Sequence, residues 1–348
     1  MVDPVIADAH LDLLLELAHR ERRGETGTFA RHWLPKLRAG GVGLQVCALY
    51  ADPGTDAKTE VLGQIEAFER ALAENPDDVV AVRSHADLDD PRLGLMLALE
   101  GCEALGGDPG ELARFHSRGV RMLSLTWNLA NAFASGTADP DGAGLTARGR
   151  GLLALMEELR VVLDLSHASE RTFWQALEAY SGPVLVTHAA CRALTDHPRN
   201  LSDEQLRALA ARDGVLGLML IPLAIDPERP TLDRACDHAE HAAEVMGAER
   251  VALGGDFTRQ IAHAVGTTLP PEQLLTTTPL GAALEGLAGP EDYPALVAAL
   301  RARGWDGERL AGILGGNLLR LLRRALPASS EAQPAARKKS QWSCDRTA

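Results

Sequence analysis

The chain has 348 residues, of which 46% are hydrophobic and 24% charged, enough for one large globular domain or two ordinary ones. Its formal net charge is −13 and its body holds no basic block, which argues against binding nucleic acid through phosphates. The five cysteines are scattered without a CxxC pair, and no apolar run has membrane-spanning length or the form of a secretory signal. The sequence therefore predicts a soluble, cytoplasmic protein without a disulfide framework, a cysteine-bound zinc or a membrane segment.

Strand and helix patterns alternate along the chain. Eight short, nearly continuous apolar runs are typical of strands buried in a parallel sheet, at residues 5–12, 41–50, 93–101, 120–126, 161–167, 184–188, 214–221 and 251–257. Helical spacing is found at residues 13–23, 55–75, 110–118, 146–160, 170–180, 202–212, 232–247, 293–303 and 306–326, with Thr146 and Ser202 as expected N-caps. Eight such units predict a closed (β/α)8 barrel of the TIM type. An open doubly wound sheet is the rival, but no G-x-G-x-x-G fingerprint follows any strand.

The barrel is predicted to occupy residues 1–326 as a single catalytic domain. Residues 327–348 differ in composition, being rich in Pro, Ser, Ala and Gln and carrying the basic triplet Arg337-Lys338-Lys339. A segment with so few apolar residues is predicted to be a disordered polar tail, and its basic triplet to be solvated.

The first predicted strand ends in His10 and Asp12, separated by one residue. Side chains alternate along a strand, so this spacing places both on one side. An imidazole and a carboxylate so placed suit a divalent ion such as zinc. By itself the pair is weak support, because a structural His beside a turn Asp is more common than a ligand pair.

Four more strand ends carry groups that can bind a metal, namely Glu100, His167, His188 and Asp256. In a (β/α)8 barrel the C-terminal strand ends converge on one face, where active sites are built. Packing alone does not explain five such strand ends, because a buried unpaired charge is costly. The pattern therefore predicts a metal site on this face.

Three His and three carboxylates exceed the needs of one tetrahedral zinc, so the pattern predicts two ions. Two ions about 3.5–4 Å apart can share a bridging carboxylate and a bridging hydroxide. Glu100, alone at its strand end, is the natural bridge. The expected terminal ligands are His10 and Asp12 for one ion and His167 and His188 for the other. Asp256 remains to hold and deprotonate the bridging water.

The chain resembles a known family through motifs spread over residues 5–324. These are DAHLD at 8–12, ALEG at 98–101, GVRMLSLTWN at 119–128, GLT at 144–146, VVLDLSH at 161–167, PVLVTHA at 183–189, HPRNLSDE at 197–204, GGDF at 254–257 and GNLLR at 316–320. In this order and spacing they are similar to the membrane (renal) dipeptidase family of zinc dipeptidases, peptidase family M19, in a bacterial-type form.

The resemblance implies a (β/α)8 barrel with a binuclear zinc centre that hydrolyses dipeptides, including those with a C-terminal D-residue. It implies the same metal ligands, with Glu100 bridging, and a carboxylate serving the catalytic water at Asp256. Arg199, within HPRN, would hold the free carboxylate of the substrate, a role that suits a planar bidentate donor. The alternative for Arg199 is a surface residue capping a turn. The resemblance also suggests a homodimer.

The chain departs from the family pattern at two places that bear on the substrate. Mammalian members have a substrate-contacting His after the LT pair, whereas Trp127 follows Leu125-Thr126 here. An indole can donate one hydrogen bond or wall a pocket but does not titrate near neutrality. Stabilisation of an oxyanion would then rest on the ions, helped by Trp127, Asn128 or Asn131. The family's DFDG is also changed after Asp256-Phe257, and residues 258–288 form a longer loop, of the kind that sets specificity.

The leading hypothesis is thus a zinc-dependent dipeptidase that acts on a small-molecule dipeptide. A second is a binuclear-metal amidohydrolase that acts on a non-peptide amide, lactam or pathway intermediate. A third is a catalytically silent relative that binds a ligand. Among other residues, His238 and His241 have HxxH spacing on a predicted helix and are expected to face solvent. Ser166 lacks the G-x-S-x-G context of a nucleophile.

Overall fold

Nine parallel strands form the sheet in the computed structural model, which describes residues 5–266, 269–276 and 278–329. They are β1 (Ile6–Leu11), β2 (Val42–Leu49), β3 (Val79–Ala81), β4 (Leu93–Leu99), β5 (Val120–Ser124), β6 (Val162–Asp164), β7 (Val184–Ala189), β8 (Val215–Leu218) and β9 (Val251–Leu253). Their order is β2-β1-β9-β8-β7-β6-β5-β4, and β2 also pairs with β4, which closes a barrel of eight strands. The predicted (β/α)8 barrel is confirmed.

All eight predicted runs contain strands, but several strands are shorter than predicted. The run at 161–167 forms a strand only over Val162–Asp164, and the run at 251–257 only over Val251–Leu253. His167 and Asp256 have φ angles of 62° and 52°, which an extended strand does not allow. Strand β3 was not predicted. It is three residues long and pairs only with the first half of β4.

Helices connect the strands and surround the barrel. They are α1 (Leu13–Arg22), α2 (Thr28–His32), α3 (Leu34–Ala39), α4 (Ala57–Glu74), α5 (Leu112–Ser117), α6 (Ala147–Leu159), α7 (Glu170–Ala179), α8 (Asp203–Ala211), α9 (Pro222–Ile225), α10 (Leu232–Met246), α11 (Arg259–Ala264), α12 (Pro271–Leu274), α13 (Tyr293–Ala302), α14 (Gly307–Ala311) and α15 (Asn317–Ala325). As predicted, Thr146 and Ser202 cap α6 and α8 by accepting hydrogen bonds from backbone N–H groups.

The predicted helix at 306–326 is interrupted, and this prediction needs correction. A π-helical turn, Gly312–Gly316, separates α14 from α15. A Cβ at Gly315 would lie 2.7 Å from the carbonyl oxygen of Val5 and 2.9 Å from the nitrogen of Ala7. The glycine therefore lets the backbone of the helix lie directly against β1.

The barrel interior is filled by a cluster of small and medium side chains, including Ala7, Val46, Met122 and Ala252. Leucines from α15 belong to the same cluster, and this helix contacts β1, β8 and β9. It closes the end of the barrel opposite the C-terminal strand ends. A larger cluster lies between the strands and the surrounding helices.

Outside the barrel, residues 327–329 form neither helix nor strand. The rest of the predicted tail, 330–348, lies outside the described residues. Across the described ranges, no helix has the length and hydropathy needed to cross a membrane.

Candidate metal centre and active site

His10 reaches the site through a bulge in β1. Ala7 and Ala9 pack in the barrel interior whereas Leu11 packs outside it, and the register with β2 shifts between Asp8 and Leu11. A bulge adds a residue to one strand and redirects the next side chain. Asp12 follows as the N-cap residue of α1, and its Oδ2 lies 3.7 Å from His10 Nε2. The two side chains lie close together as predicted. A bulge in β1 and the start of α1 bring them together, not the simple alternation of side chains along a strand.

A buried carboxylate, Asp8, holds the ends of β1 and β9 together. Its Oδ1 accepts hydrogen bonds from the N–H groups of His10, at 3.1 Å, and Gly255, at 2.9 Å. Its Oδ2 accepts one from the hydroxyl of Tyr293 at 2.7 Å. Burial raises the pKa of Asp8 above its usual value, and these hydrogen bonds oppose that shift. The carboxylate fixes the backbone beside both His10 and Asp256.

The end of β7 carries His188 towards the barrel axis. Its register with β8 shifts between Val186 and Ala189. The carbonyl oxygen of Thr187 then lies so close to β8 and β9 that a Cβ would be 1.9 Å away at Gly217 and 1.7 Å away at Gly254. Glycine is therefore required at both positions. The second belongs to the GGDF motif.

The hydrogen bonds of His188 determine its tautomer. Asp164 Oδ2 accepts a hydrogen bond from the Thr187 hydroxyl at 2.6 Å. With its proton used, that hydroxyl accepts a hydrogen bond from Nδ1 of His188 at 2.8 Å. Nε2 of His188 is left with a free lone pair directed into the site.

His167 is fixed in the same way by Asn128. The Asn128 amide donates to the carbonyl oxygen of Gln273 at 2.9 Å, which identifies its other atom as the acceptor. That acceptor, Oδ1, lies 2.7 Å from Nδ1 of His167, so the ring donates from Nδ1. Nε2 of His167 also presents a lone pair to the site.

Three lone-pair atoms thus face one another without a proton between them. The two Nε2 atoms of His167 and His188 are 2.8 Å apart, and Glu100 Oε1 lies 2.9 Å from the first and 3.6 Å from the second. Burial lowers the pKa values of both rings well below normal, with Arg199 and His10 adding to the effect. Neutral imidazoles and a carboxylate oriented this way fit a divalent cation.

The second oxygen of Glu100 faces the other group of ligands. His10 Nε2 lies 3.6 Å from Glu100 Oε2 and 3.9 Å from Asp256 Oδ1. His10 Nε2 and Asp12 Oδ1 are buried and have no hydrogen-bond partner in the described residues. Buried polar atoms are rarely left unpaired, so these two also fit a bound cation. Ligand atoms of His10, Asp12 and Asp256 lie within 4.8 Å of one another, as do those of His10, Glu100 and His188.

The carboxylates give the site a strong negative potential. Burial lowers the pKa of His10, but Glu100 and Asp12 outweigh this and raise it to about 10. Burial raises the pKa of Asp256 to about 7, with Asp12 adding to the effect and His10 and Arg199 opposing it. Burial and Asp12 together raise the pKa of Glu100 well above normal. Divalent cations would remove this mutual repulsion.

A cavity of about 140 Å³ opens above this cluster. Arg199 lines it, is only 4% exposed, and donates to the carbonyl oxygen of His188 at 3.2 Å. Its guanidinium forms no ion pair with any described residue. Burial lowers its pKa to about 10, which leaves it charged at neutral pH. A buried cation without an ion-pair partner among the described residues is suited to an anionic ligand.

The remaining predicted substrate residues occupy different places. Trp127 lines the cavity, with its ring 5.4 Å from that of Tyr50 and 5.8 Å from that of His167. Asn128 also lines it, but its amide already contacts His167 and Gln273, so these contacts favour a positioning role. Asn131 supports the turn that follows β5, accepting hydrogen bonds from the N–H groups of residues 133 and 134.

The loop after Asp256 folds over the cavity. It contains α11 and α12, and Ile261, Leu274 and Leu280 line the cavity from this side. The sequence indicated a long loop here, but its two short helices were not predicted.

Comparison with known proteins identifies the family. The chain matches the family model of membrane dipeptidases (peptidase family M19) over residues 1–267 and 275–335. The chain belongs to the membrane dipeptidase family. It is 32% identical over 275 residues to an uncharacterised protein from the pqqA 5′ region of Klebsiella pneumoniae, covering 75% of this chain and 94% of that one. It is 29% identical over 308 residues to dipeptidase aclJ of Aspergillus oryzae, covering 83% and 68%.

A solved structure of a Rhodobacter sphaeroides metallopeptidase is also similar. It superposes with a TM-score of 0.80 at 25% identity, covering 93% of this chain and all of that one. That protein was solved with a phosphinate mimic of the dipeptide L-Ala-D-Ala. The family match is broken at residues 268–274, within the loop that folds over the cavity.

In this membrane dipeptidase family member, the nine predicted site residues all lie around one cavity or the cluster below it. Sequence reasoning missed the groups that support them, which are Asp8, Asp164, Thr187 and Tyr293. Asp8 and Asp164 each precede a predicted ligand and interrupt an apolar strand, and that was the available signal.

The prediction that His238 faces solvent was wrong. The ring is fully buried, accepts from the N–H of Cys191 at 3.1 Å and contacts the carbonyl oxygen of Ile225 at 2.9 Å. His241 is partly buried and lies 2.8 Å from a carboxylate oxygen of Asp203. Neither belongs to the two groups of candidate metal ligands or lines the cavity, so the HxxH spacing reflects packing of α10.

Proposed function

We propose that the protein is a zinc-dependent dipeptidase that hydrolyses the peptide bond of free dipeptides. Membership of the family makes it a metallo-dipeptidase, and the number and identity of its ions are the proposed part. One observation supports two ions most directly. Glu100 presents one oxygen to the lone pairs of His167 and His188 and the other to His10.

The proposed ligands are His10 and Asp12 for one ion, His167 and His188 for the other, and Glu100 for both. Imidazole and carboxylate ligands without cysteine suit zinc. When bound, such ions act as Lewis acids and lower the pKa of a coordinated water towards about 7.

The protein's own residues bind the substrate and move the proton. Arg199 binds the free carboxylate of the dipeptide. Asp256 takes a proton from the water that attacks the carbonyl carbon of the peptide bond. As the carbon–nitrogen bond breaks, Asp256 gives that proton to the leaving amine. Trp127 forms one wall of the cavity and has no proton to transfer near neutral pH.

The size of the cavity supports a small substrate. About 140 Å³ is less than the roughly 300–1,000 Å³ typical of pockets for drug-sized ligands. Since the Rhodobacter sphaeroides relative was solved with a mimic of L-Ala-D-Ala, we include dipeptides with a C-terminal D-residue among the proposed substrates.

We propose that residues 1–326 suffice as the catalytic domain and that the protein works in the cytoplasm. Cys47, Cys102, Cys191 and Cys236 are buried and free, which supports a reducing compartment. A homodimer stays a prediction from the family resemblance.

The test is a screen of zinc- and cobalt-loaded protein against paired L-X-L-X and L-X-D-X dipeptides, with elemental analysis of the loaded protein. Turnover of some dipeptides together with about two ions per chain is expected. Absence of turnover throughout the library would refute the dipeptidase proposal. Preferential turnover of a lactam or other non-peptide amide would instead favour the second hypothesis from the sequence.

A further inference from the structure

The cavity has two chemically different sides, and the strand order of the barrel determines which is which. Going around the barrel, β7, β8 and β9 are neighbours, whereas β2 lies across the barrel from β7. Arg199 lies in the segment that follows β7. Tyr50 and Asp52 follow β2 and line the cavity there, with the Tyr50 hydroxyl donating to Asp52 Oδ1 at 3.0 Å. The cation and this carboxylate are thus on opposite sides.

This polarity orients a zwitterionic dipeptide. Its carboxylate is attracted to Arg199 and its ammonium group to the side of Asp52. This orientation presupposes the proposed function, because it takes a free dipeptide as the substrate. In it, the C-terminal residue of the substrate lies beside the segments that follow β8 and β9.

Apart from Asp256, Thr258 and Thr276, the described residues with which those two segments line the cavity are apolar, and six of them form an apolar wall. Its residues are Ile221, Leu223, Ile261, Ala262, Leu274 and Leu280. Ile221 and Ile261 are each only 8% exposed, and the other four residues of the wall are partly buried. Among the described residues of these two segments, the charged side chain that lines the cavity is that of Asp256, to which the proposed function assigns proton transfer.

We propose that this wall makes the enzyme selective for dipeptides whose C-terminal residue has a branched aliphatic side chain, of the size of valine, leucine or isoleucine. The side chain contacts the wall while the carboxylate of the same residue contacts Arg199. A single methylene in a hydrophobic pocket changes kcat/KM by about 10- to 200-fold. We therefore expect kcat/KM for Ala-Leu to exceed that for Ala-Ala by at least about tenfold.

Helix α11 offers a matched pair of variants. Ala262 lines the active-site cavity, whereas Ala264, on the same helix, lines a separate surface cleft with Arg20 and Lys36. Ala262→Leu fills part of the space beside the wall, and Ala264→Leu adds the same volume elsewhere. We expect Ala262→Leu to lower the Ala-Leu to Ala-Ala ratio of kcat/KM by at least about tenfold. Ala264→Leu should leave the ratio unchanged.

The assay compares Ala-Ala, Ala-Leu and Leu-Ala, each with both configurations of the C-terminal residue, on the full-length metal-loaded protein. A ratio of Ala-Leu to Ala-Ala near one would overturn the inference, and so would a stronger gain for Leu-Ala than for Ala-Leu. An equal effect of the two variants on the ratio would also overturn it.

A binding measurement separates this inference from the proposed function. Isothermal titration with phosphinate analogues of Ala-Ala and Ala-Leu needs no turnover. Tighter binding of the Ala-Leu analogue, with a more negative heat-capacity change that is lost in Ala262→Leu, supports the apolar wall even if no dipeptide is cleaved. Equal binding of the two analogues contradicts it even if dipeptides are cleaved.

Discussion

The hydroxyl of Thr187 accepts a hydrogen bond from Nδ1 of His188 at 2.8 Å, and this contact decides which ring nitrogen faces the metal centre. Because the hydroxyl donates its proton to Asp164, it cannot donate to this ring nitrogen and must accept from it. Loss of such a supporting contact typically costs about 10- to 100-fold in metal affinity.

Thr187→Val keeps the shape of the side chain but removes the hydroxyl. We expect zinc affinity to fall about 10- to 100-fold, because the ring of His188 is no longer held in one tautomer. Competition with a fluorescent chelator measures the affinity. Thr187→Ser retains the hydroxyl and should bind zinc like the native protein. Native affinity in Thr187→Val would show that the contact does not support the site.

Asp256→Asn tests the proposed proton transfer. An amide has nearly the same shape but cannot accept the proton of the attacking water, and general base catalysis contributes about 10²- to 10⁴-fold. We expect kcat to fall by that factor. Elemental analysis should still find the native zinc content, which separates this effect from loss of metal. A fall in kcat of less than about tenfold would assign proton transfer to another group.

Tyr293→Phe tests how Asp8 is supported. The variant removes the donor to Asp8 Oδ2 in a fully buried place, and an unpaired buried acceptor costs about 1–3 kcal/mol. Urea denaturation should show that loss. Tyr180→Phe is the matched control, because its buried hydroxyl donates to the neutral carbonyl oxygen of Val161. We expect Tyr180→Phe to lose less stability, and an equal loss would argue against a charged Asp8.

His238 gives the protein a predicted acid sensitivity. Burial lowers its pKa from 6.5 to about 4, so between these pH values the unfolded state binds more protons than the folded state. The free energy of unfolding should therefore fall as pH drops from 6.5 to 4. Protonation of Nδ1 would also remove the acceptor for the N–H of Cys191.

Urea denaturation at several pH values measures this slope, and His238→Gln should reduce it. His116, whose pKa burial also lowers to about 4, accounts for part of the remaining slope. Above about pH 8 the ring takes up almost no proton in either state, so native protein and variant should share one slope there. An unchanged slope below pH 6.5 in His238→Gln would contradict the prediction.

The barrel and the convergence of its strand ends were predictable because both follow from short-range patterns. Each strand is a continuous apolar run, and Glu100, His167 and His188 stand out where those runs stop. The bulges in β1 and β7 were not predictable, because they depend on close approaches between neighbouring strands. The sequence around Thr187 does not indicate that its carbonyl oxygen lies close to Gly217 and Gly254.

The supporting residues were missed for a related reason. Asp8 and Tyr293 are 285 positions apart in the chain, so no local pattern joins them. His238 illustrates the opposite error. Its spacing from His241 suggested an exposed helix face, but the backbone groups of Cys191 and Ile225, from other segments, provide the ring with buried partners.

The position of helix α15 late in the sequence affects how the chain folds during translation. The side chains of Leu318, Leu321 and Leu322 fill one end of the barrel. The ribosome synthesises them only after all the strands that surround them. While a ribosome is still translating the middle of the gene, that end of the nascent barrel is open and apolar. Such surfaces bind chaperones and other unfinished chains. Premature termination before residue 318 should therefore yield an aggregating product rather than a weakened enzyme, even though every proposed metal ligand would already be present.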